Sequence, residues 1–236
     1  MRALHHSVAI VALLALAGRA LPLAAAPADG DWVSYRDAYR AMVVFEKYGK
    51  PKSLLQHQIQ VVTRDKSTPL EGVRLVLGGQ TSQLNLPLDA TGRTVFPLLK
   101  AAYDDNAALV LSRKSGAFTL RARVTLAVRP DGVYDLAELR AACDQALDYA
   151  RYLDASFNGR HCAGVRFGFG KSAAPVLIVK RALPAETTEL RVVDGPVFAD
   201  DADDGFRIAT LRFTTNPSRA QLMTQDAPLA IVPIFE

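Results

Sequence analysis

The chain has 236 residues, 50% of them hydrophobic and 22% charged, with a formal net charge of +4. That balance is too apolar for a disordered chain and too rich in charge for a bundle of membrane helices. Residues 1–28 hold Arg2, Arg19 and no acid, so the rest carries 26 basic against 24 acidic side chains. Near-neutrality argues against a nucleic-acid binder, which needs a clustered basic face to displace counterions.

Arg2 is followed by an unbroken apolar run, Val8–Gly18, and then by small residues. A positive start, an apolar core too short to span a bilayer comfortably and an A-x-A site form the pattern of a secretory signal peptide. Ala26-Pro27-Ala28 places the cut before Asp29, with cuts after Ala26 or Ala20 as alternatives and an uncleaved anchor as the rival reading. Residues 1–28 are thus expected to export the protein to the periplasm or the medium, with no membrane insertion after cleavage.

The first predicted helix runs from Tyr35 to Tyr48. Ser34 is a suitable N-cap, with Asp37 three residues on. Tyr35, Tyr39, Met42 and Val43 share one face, and Gly49 and Pro51 stop the helix. Five aromatics between Trp32 and Tyr48 suggest either a sugar-stacking platform or a helix packed on a sheet; packing is the expectation.

Residues 55–128 read as β-structure. Leu55, His57, Ile59, Val61 and Thr63 alternate with Gln56, Gln58, Gln60, Val62 and Arg64, a half-buried strand. Strands follow at Val73–Leu77, Leu84–Leu88, Thr94–Leu98, Ala107–Ser112 and Phe118–Val128, with turns at Asp89-Ala90-Thr91-Gly92 and Lys114-Ser115-Gly116. Short strands with frequent turn signals indicate a sandwich.

Two segments in this region carry a family resemblance. Thr68-Pro69-Leu70-Glu71-Gly72-Val73-Arg74-Leu75 resembles the P-L-x-G-v-x-v stretch of carboxypeptidase-regulatory-like domains. Leu88-Asp89-Ala90-Thr91-Gly92-Arg93 is similar to the turn that leads into their next strand. The resemblance implies a transthyretin-like antiparallel sandwich that serves as a noncatalytic folding or interaction module, and it transfers no active-site residue. The whole chain also resembles exported proteobacterial envelope proteins.

The second long helix is predicted at Leu136–Leu153, with Asp135 as its cap and Leu136, Leu139, Cys143, Ala146, Leu147, Ala150 and Leu153 on one face. Beyond it, β-structure returns at Gly164–Phe169, Val176–Lys180, Glu189–Val193, Arg207–Phe213 and Leu229–Phe235, while Pro217–Ala227 reads as a helical turn and a loop. The two cysteines, Cys143 on the helix and Cys162 opening the next strand, suit a disulfide in an oxidising compartment. The alternatives are two buried thiols, or a reactive thiol beside His161. The latter is poorly placed, because adjacent strand residues point to opposite faces.

Most motif readings fail on spacing. Gly164–Ser172 ends like a phosphate-binding loop, but Val165 stands where the first glycine belongs. Asp200, Asp201, Asp203 and Asp204 form a weak Ca²⁺ candidate, although Gly205 comes one place early for an EF-hand and Arg212 replaces the bidentate Glu. Downstream of residue 28 the histidines are His57 and His161, and no hydrolase or zinc signature accompanies them. No catalytic or cofactor-binding residue is assigned.

The expectation is an α+β protein in three parts: residues 1–28 as signal, 29–130 as helix plus transthyretin-like or Ig-like sandwich, and 131–236 as a disulfide-stapled helix plus a second β region. The second and third parts form one domain or two docked ones. The expected function is noncatalytic binding of a protein or glycan partner in the cell envelope, with the glutamine-rich face of residues 55–64 as one strand-addition candidate. The rival readings are an envelope-polymer hydrolase with carboxylates in a cleft and a structural subunit of an assembly.

Overall fold

The computed structural model describes residues 32–64, 70–114, 116–181, 185–203, 205–213 and 219–236. The predicted signal segment, Thr68-Pro69, Ser115 and Asp204 lie outside the described residues. In chain order the elements are β1 (Trp32–Ser34), α1 (Tyr35–Lys47), β2 (Leu55–Thr63), β3 (Arg74–Gly78), β4 (Gln83–Pro87), β5 (Arg93–Thr94) and α2 (Lys100–Asp104). Next come β6 (Ala108–Leu111), β7 (Phe118–Leu126), β8 (Val133–Asp135), α3 (Leu136–Leu153), β9 (Cys162–Phe169) and β10 (Leu177–Arg181). The last are β11 (Glu186–Glu189), β12 (Val192–Gly195), β13 (Phe206–Arg212), β14 (Ala220–Thr224) and β15 (Ala230–Phe235). The α+β expectation holds.

All strand pairs are antiparallel. A four-stranded N-terminal sheet has the order β1-β6-β3-β4, a four-stranded C-terminal sheet the order β11-β10-β14-β8, and a seven-stranded central sheet the order β12-β13-β9-β15-β7-β2-β5. The central sheet therefore draws strands from both halves of the chain. One face of β2 and β7 supplies Ile59, Val61 and Phe118, which meet Leu75, Leu77 and Leu109 of the N-terminal sheet and Tyr35, Ala38 and Met42 of α1 in one core. In a second core, Leu136, Leu139, Cys143 and Ala146 of α3 lie with Val165, Phe167 and Leu211 of the central sheet and Leu177, Val179 and Leu222 of the C-terminal sheet.

The helices end where local chemistry dictates. Ser34 Oγ accepts the Asp37 N–H at 3.4 Å, which caps α1, and Lys52 Nζ donates to the carbonyls of Phe45 and Glu46 at its far end. Asp135 precedes α3 as expected but makes no capping hydrogen bond; its carboxylate instead accepts from Gln221 Nε2 at 3.0 Å. Of the aromatics before Gly49, Tyr35, Phe45 and Tyr48 are buried, so this stripe packs inward as expected.

Three strand expectations are corrected. The strand at 94–98 stops at Thr94, because Phe96 turns into the first core and Tyr35 Oη donates to the Pro97 carbonyl at 2.7 Å while accepting the Leu99 N–H. Pro97 also lacks the N–H that a continued ladder would use. The strand at 189–193 is two strands in two sheets, β11 and β12, with the change at Leu190-Arg191. In place of the helical turn within 217–227, β14 alternates buried Ala220, Leu222 and Thr224 with more exposed Gln221 and Met223.

The disulfide forms. Cys143 of α3 bonds Cys162 at the start of β9, with Cα atoms 6.0 Å apart across a sequence separation of 19. A loop of this size limits the unfolded chain by about 3 kcal/mol. Reduction, or the double replacement Cys143→Ala/Cys162→Ala, is expected to lower the melting temperature by roughly 6–12 °C in a chain of this length. An unchanged melting curve on reduction would refute a stabilising role.

Candidate functional site

Among the described residues, two sheet edges carry no charge, the three-residue β1 and the longer β4. The N–H of Gly79 donates to Ser82 O at 2.8 Å and that of Leu88 to Val73 O, so the pairs 79–82 and 73–88 are hydrogen-bonded and alternate with non-bonded ones. By the same register Leu84 and Leu86 bond β3, and the backbone groups of Gln83 and Asn85 point outward. Pro87, which has no N–H, ends that outward row. Residues 78–88 contain no ionisable side chain. The other long-sheet edges do: β11 begins and ends in Glu186 and Glu189, and β12 holds Asp194. Natural edges are normally blunted by charge; β4 is not.

The side chains of β4 continue the core to this edge. Leu86 and Leu88 pack against the N-terminal core, and Leu84 is 37% exposed. The glutamine-rich strand β2 pairs with β7 along its whole length, and on its other side β5 and the Gly92 carbonyl close Ile59–Val61, so the middle of this strand is not free for strand addition.

Gln60 instead enters a polar cluster that joins the two halves of the chain. Its Nε2 donates to Thr91 O and to Asp201 Oδ2 at 2.9 Å, and its Oε1 accepts from Arg123 Nε at 2.6 Å. Arg123 also reaches Asp200 at 2.8 Å and Asp201 at 2.9 Å, and Arg121 reaches Asp200 at 3.0 Å. Beside them Arg93 is 1% exposed; it donates to Thr91 Oγ1, Asp89 Oδ2 and Leu229 O. The Phe198 ring lies 4.4 Å from Arg123 and 5.3 Å from Arg93.

This cluster reassigns the acidic loop. Asp200 and Asp201 pair with arginines, and Asp203 pairs with Lys171 Nζ at 2.7 Å. Burial pushes the Asp200 carboxyl upward, but hydrogen bonding and charge from Arg123, with Arg121, outweigh it and hold the group below the usual carboxylate range. Among the described residues no group of three or more His, Cys, Asp or Glu side chains could hold a metal ion. Asp200 and Asp201 thus fasten the loop to Arg121 and Arg123 of β7 and to Gln60 of β2. The turn at 89–92 forms as expected: Asp89 Oδ1 accepts the N–H groups of Thr91 and Arg93 at 2.9 Å, and Gly92 has φ +77°.

Sequence reasoning missed Arg93, Arg123 and Gln60 as a set. The alternation in β7 of Thr119, Arg121, Arg123 and Thr125 with apolar residues marks a polar face, and that face was the available signal. Nothing local marks Arg93 as buried.

The remaining candidates are scattered. His161 is exposed, and His57 stacks on Phe45 with ring centroids 4.5 Å apart. Burial, aided by the charge of Lys52, lowers the His57 pKa to about 4. In the unfolded chain the group binds a proton below about 6.5, so the folded state is disfavoured between pH 6.5 and 4 and unaffected above. Stability is expected to fall by roughly 2 kcal/mol over that window after discounting for partial exposure. Denaturant titrations of wild type and His57→Gln at pH 7 and pH 4.5 measure this, and an equal acid loss in both proteins would remove His57 as its source. An open groove of about 580 Å³ runs past Asp135, Glu138, Lys180, Arg181, Arg219 and Gln221. Its two carboxylates are engaged, Asp135 by Gln221 and Glu138 by Arg129.

Comparison of the chain with protein-family models, with curated proteins and with solved structures found no match. No described helix is long and apolar enough to cross a membrane.

Proposed function

We propose that this protein is an exported, noncatalytic module of the cell envelope that binds a partner protein by strand addition at β4. The observation that carries the reading is the uncharged β4 edge, with the Gln83 and Asn85 backbone turned outward and Leu84 half-exposed beside them. An extended partner segment would gain main-chain hydrogen bonds from the edge, and its alternate side chains would extend the leucine row. The N-terminal region is read as a transthyretin-like sandwich. Support comes from the core shared by the N-terminal and central sheets, and from the positive φ of Gly72 and Gly92 in the two segments that carry the resemblance. The apolar run Val8–Gly18 and the disulfide support an oxidising location, the periplasm or the medium.

The test is capture from envelope extract with cross-linking and mass spectrometry, run in parallel on wild type and Leu84→Lys. The expected result is one reproducible partner whose cross-links surround β4 and whose yield falls at least tenfold in the variant. Cross-links confined to other surfaces, or equal capture by both proteins, would overturn the site. N-terminal sequencing of the exported protein is expected to begin at Asp29; recovery only in the cytoplasm, with Met1 intact, would overturn the location.

A further inference from the structure

We propose that β4 pairs with β4 of a second copy of this chain, antiparallel about a twofold axis through Asn85. The inference rests on β4 being a strand-accepting edge and commits that edge to one occupant. The segment Gln83-Leu84-Asn85-Leu86-Pro87 has a symmetric pattern: polar, leucine, Asn85, leucine, polar or proline. Inverted on itself about Asn85, it sets Asn85 opposite Asn85, Leu84 opposite Leu86, and Gln83 opposite Pro87.

The hydrogen bonds fit this register. Gln83 and Asn85 have their N–H and C=O groups turned outward, while Leu84 and Leu86 spend theirs on β3. In the twofold pair each Asn85 therefore donates to the other's carbonyl and accepts in return. Each Gln83 N–H meets a Pro87 carbonyl, and Pro87, having no N–H to offer, ends the ladder on both sides. The non-bonded positions bring Leu84 against Leu86 of the second copy, on the same face as Leu75 and Leu77, so the apolar row continues across the junction.

Charge and symmetry favour a second copy as the occupant. In a twofold strand pair each strand faces its own sequence reversed, so a charge at the axis, or like charges at mirrored positions, face one another unfavourably. β4 and its flanks from 78 to 88 carry none. The edge strand β11, inverted about its centre, would set Glu186 opposite Glu189. Pairing of β4 with a different edge would propagate into a fibre, whereas the twofold pair uses both β4 edges and closes.

Two readouts on the purified protein test this. Sedimentation is expected to show a monomer–dimer equilibrium that Leu84→Lys weakens at least tenfold. Oxidation of Asn85→Cys is expected to give a covalent dimer, because directly opposed bonded residues have Cα atoms about 5.5 Å apart, within the disulfide range of about 4.4–6.8 Å. Gln83→Cys, about four residues from its own copy and hence about 13 Å away, is expected to stay monomeric under the same oxidation. A monomer at all concentrations with no Asn85→Cys cross-link overturns the inference, and cross-linking of Gln83→Cys instead overturns the register. Hydrogen exchange separates this from failure of the edge itself. If the protein is monomeric but a captured partner protects the Gln83 and Asn85 amides, only the second copy is rejected. If those amides exchange freely alone and with partner, the strand-addition reading falls as well.

Discussion

Replacement of Arg93 by methionine is expected to destabilise the protein by about 3 kcal/mol, a magnitude typical of removing one partner of a buried charge pair. Arg93 is 1% exposed and makes hydrogen bonds to Thr91 Oγ1, Asp89 Oδ2 and Leu229 O. Methionine fills much of the aliphatic stem's volume but leaves the Leu229 carbonyl without its donor and Asp89 without its cation. Asp89 keeps backbone N–H partners from Thr91 and Arg93, which holds the expected loss at the lower end of the range. Burial itself opposes the charge: it lowers the Arg93 pKa, with Asp89 as the main opposing influence, and Nη1 is buried with no hydrogen-bond partner among the described residues. The double variant Arg93→Met/Asp89→Asn is therefore expected to recover part of the loss, since the asparagine retains an acceptor for the turn and removes the unpaired charge. Thermal melting measures both, with a fall of roughly 6–12 °C for the single variant. A single variant within about 0.5 kcal/mol of wild type would show that this arginine does not fasten the start of β15 to the turn before β5.

Gly164→Ala is expected to cost about 3 kcal/mol or more, at or beyond the upper end of ordinary overpacking. A Cβ at Gly164 would lie 2.2 Å from the Leu211 carbonyl oxygen and 3.2 Å from the Arg212 Cα, both backbone atoms of β13. No rotamer change relieves a clash with backbone, so β9 and β13 must separate, parting β12 and β13 from the rest of the seven-stranded sheet. Gly170, just past the end of β9, is the matched control: a Cβ there meets nothing within 4 Å, and its φ is not in the left-handed region. Gly170→Ala is expected to be neutral or stabilising by about 0.5 kcal/mol, through the unfolded chain. Equal melting temperatures for the two variants would contradict the close approach of β9 to β13.

These two positions mark where sequence reading stopped. Gly164 sits in an alternating segment whose strand assignment is correct, yet nothing in its neighbours reveals a partner backbone too close for a methyl group. Arg93 follows a turn whose shape is legible in Asp89 and Gly92, but its burial depends on Leu229, 136 residues away. Gln60 shows the same limit. Its alternation with Ile59 and Val61 is plain, and its burial depends on β5 and on Asp201, 141 residues away. The β4 edge was legible as a strand. Its outward backbone was not, because strand order in the sheet decides which side of a strand is free.

The sequence by itself determined what neighbours in the chain can set: the stripes of α1 and α3, the alternation of β2 and β7, the turn at Asp89–Gly92, and the reach that lets Cys143 meet Cys162 across a single helix and its return. Each depends on dihedral preference, side-chain period or a short loop, and these act within about twenty residues. Only the tertiary structure decided that β11 and β12 belong to different sheets, that the acidic loop pairs with Arg121 and Arg123, that Arg93 is buried, and that β4 stands at an uncharged edge. Those outcomes are choices among strand partners with similar local patterns, and the choice is made by burying two cores at once around one shared sheet.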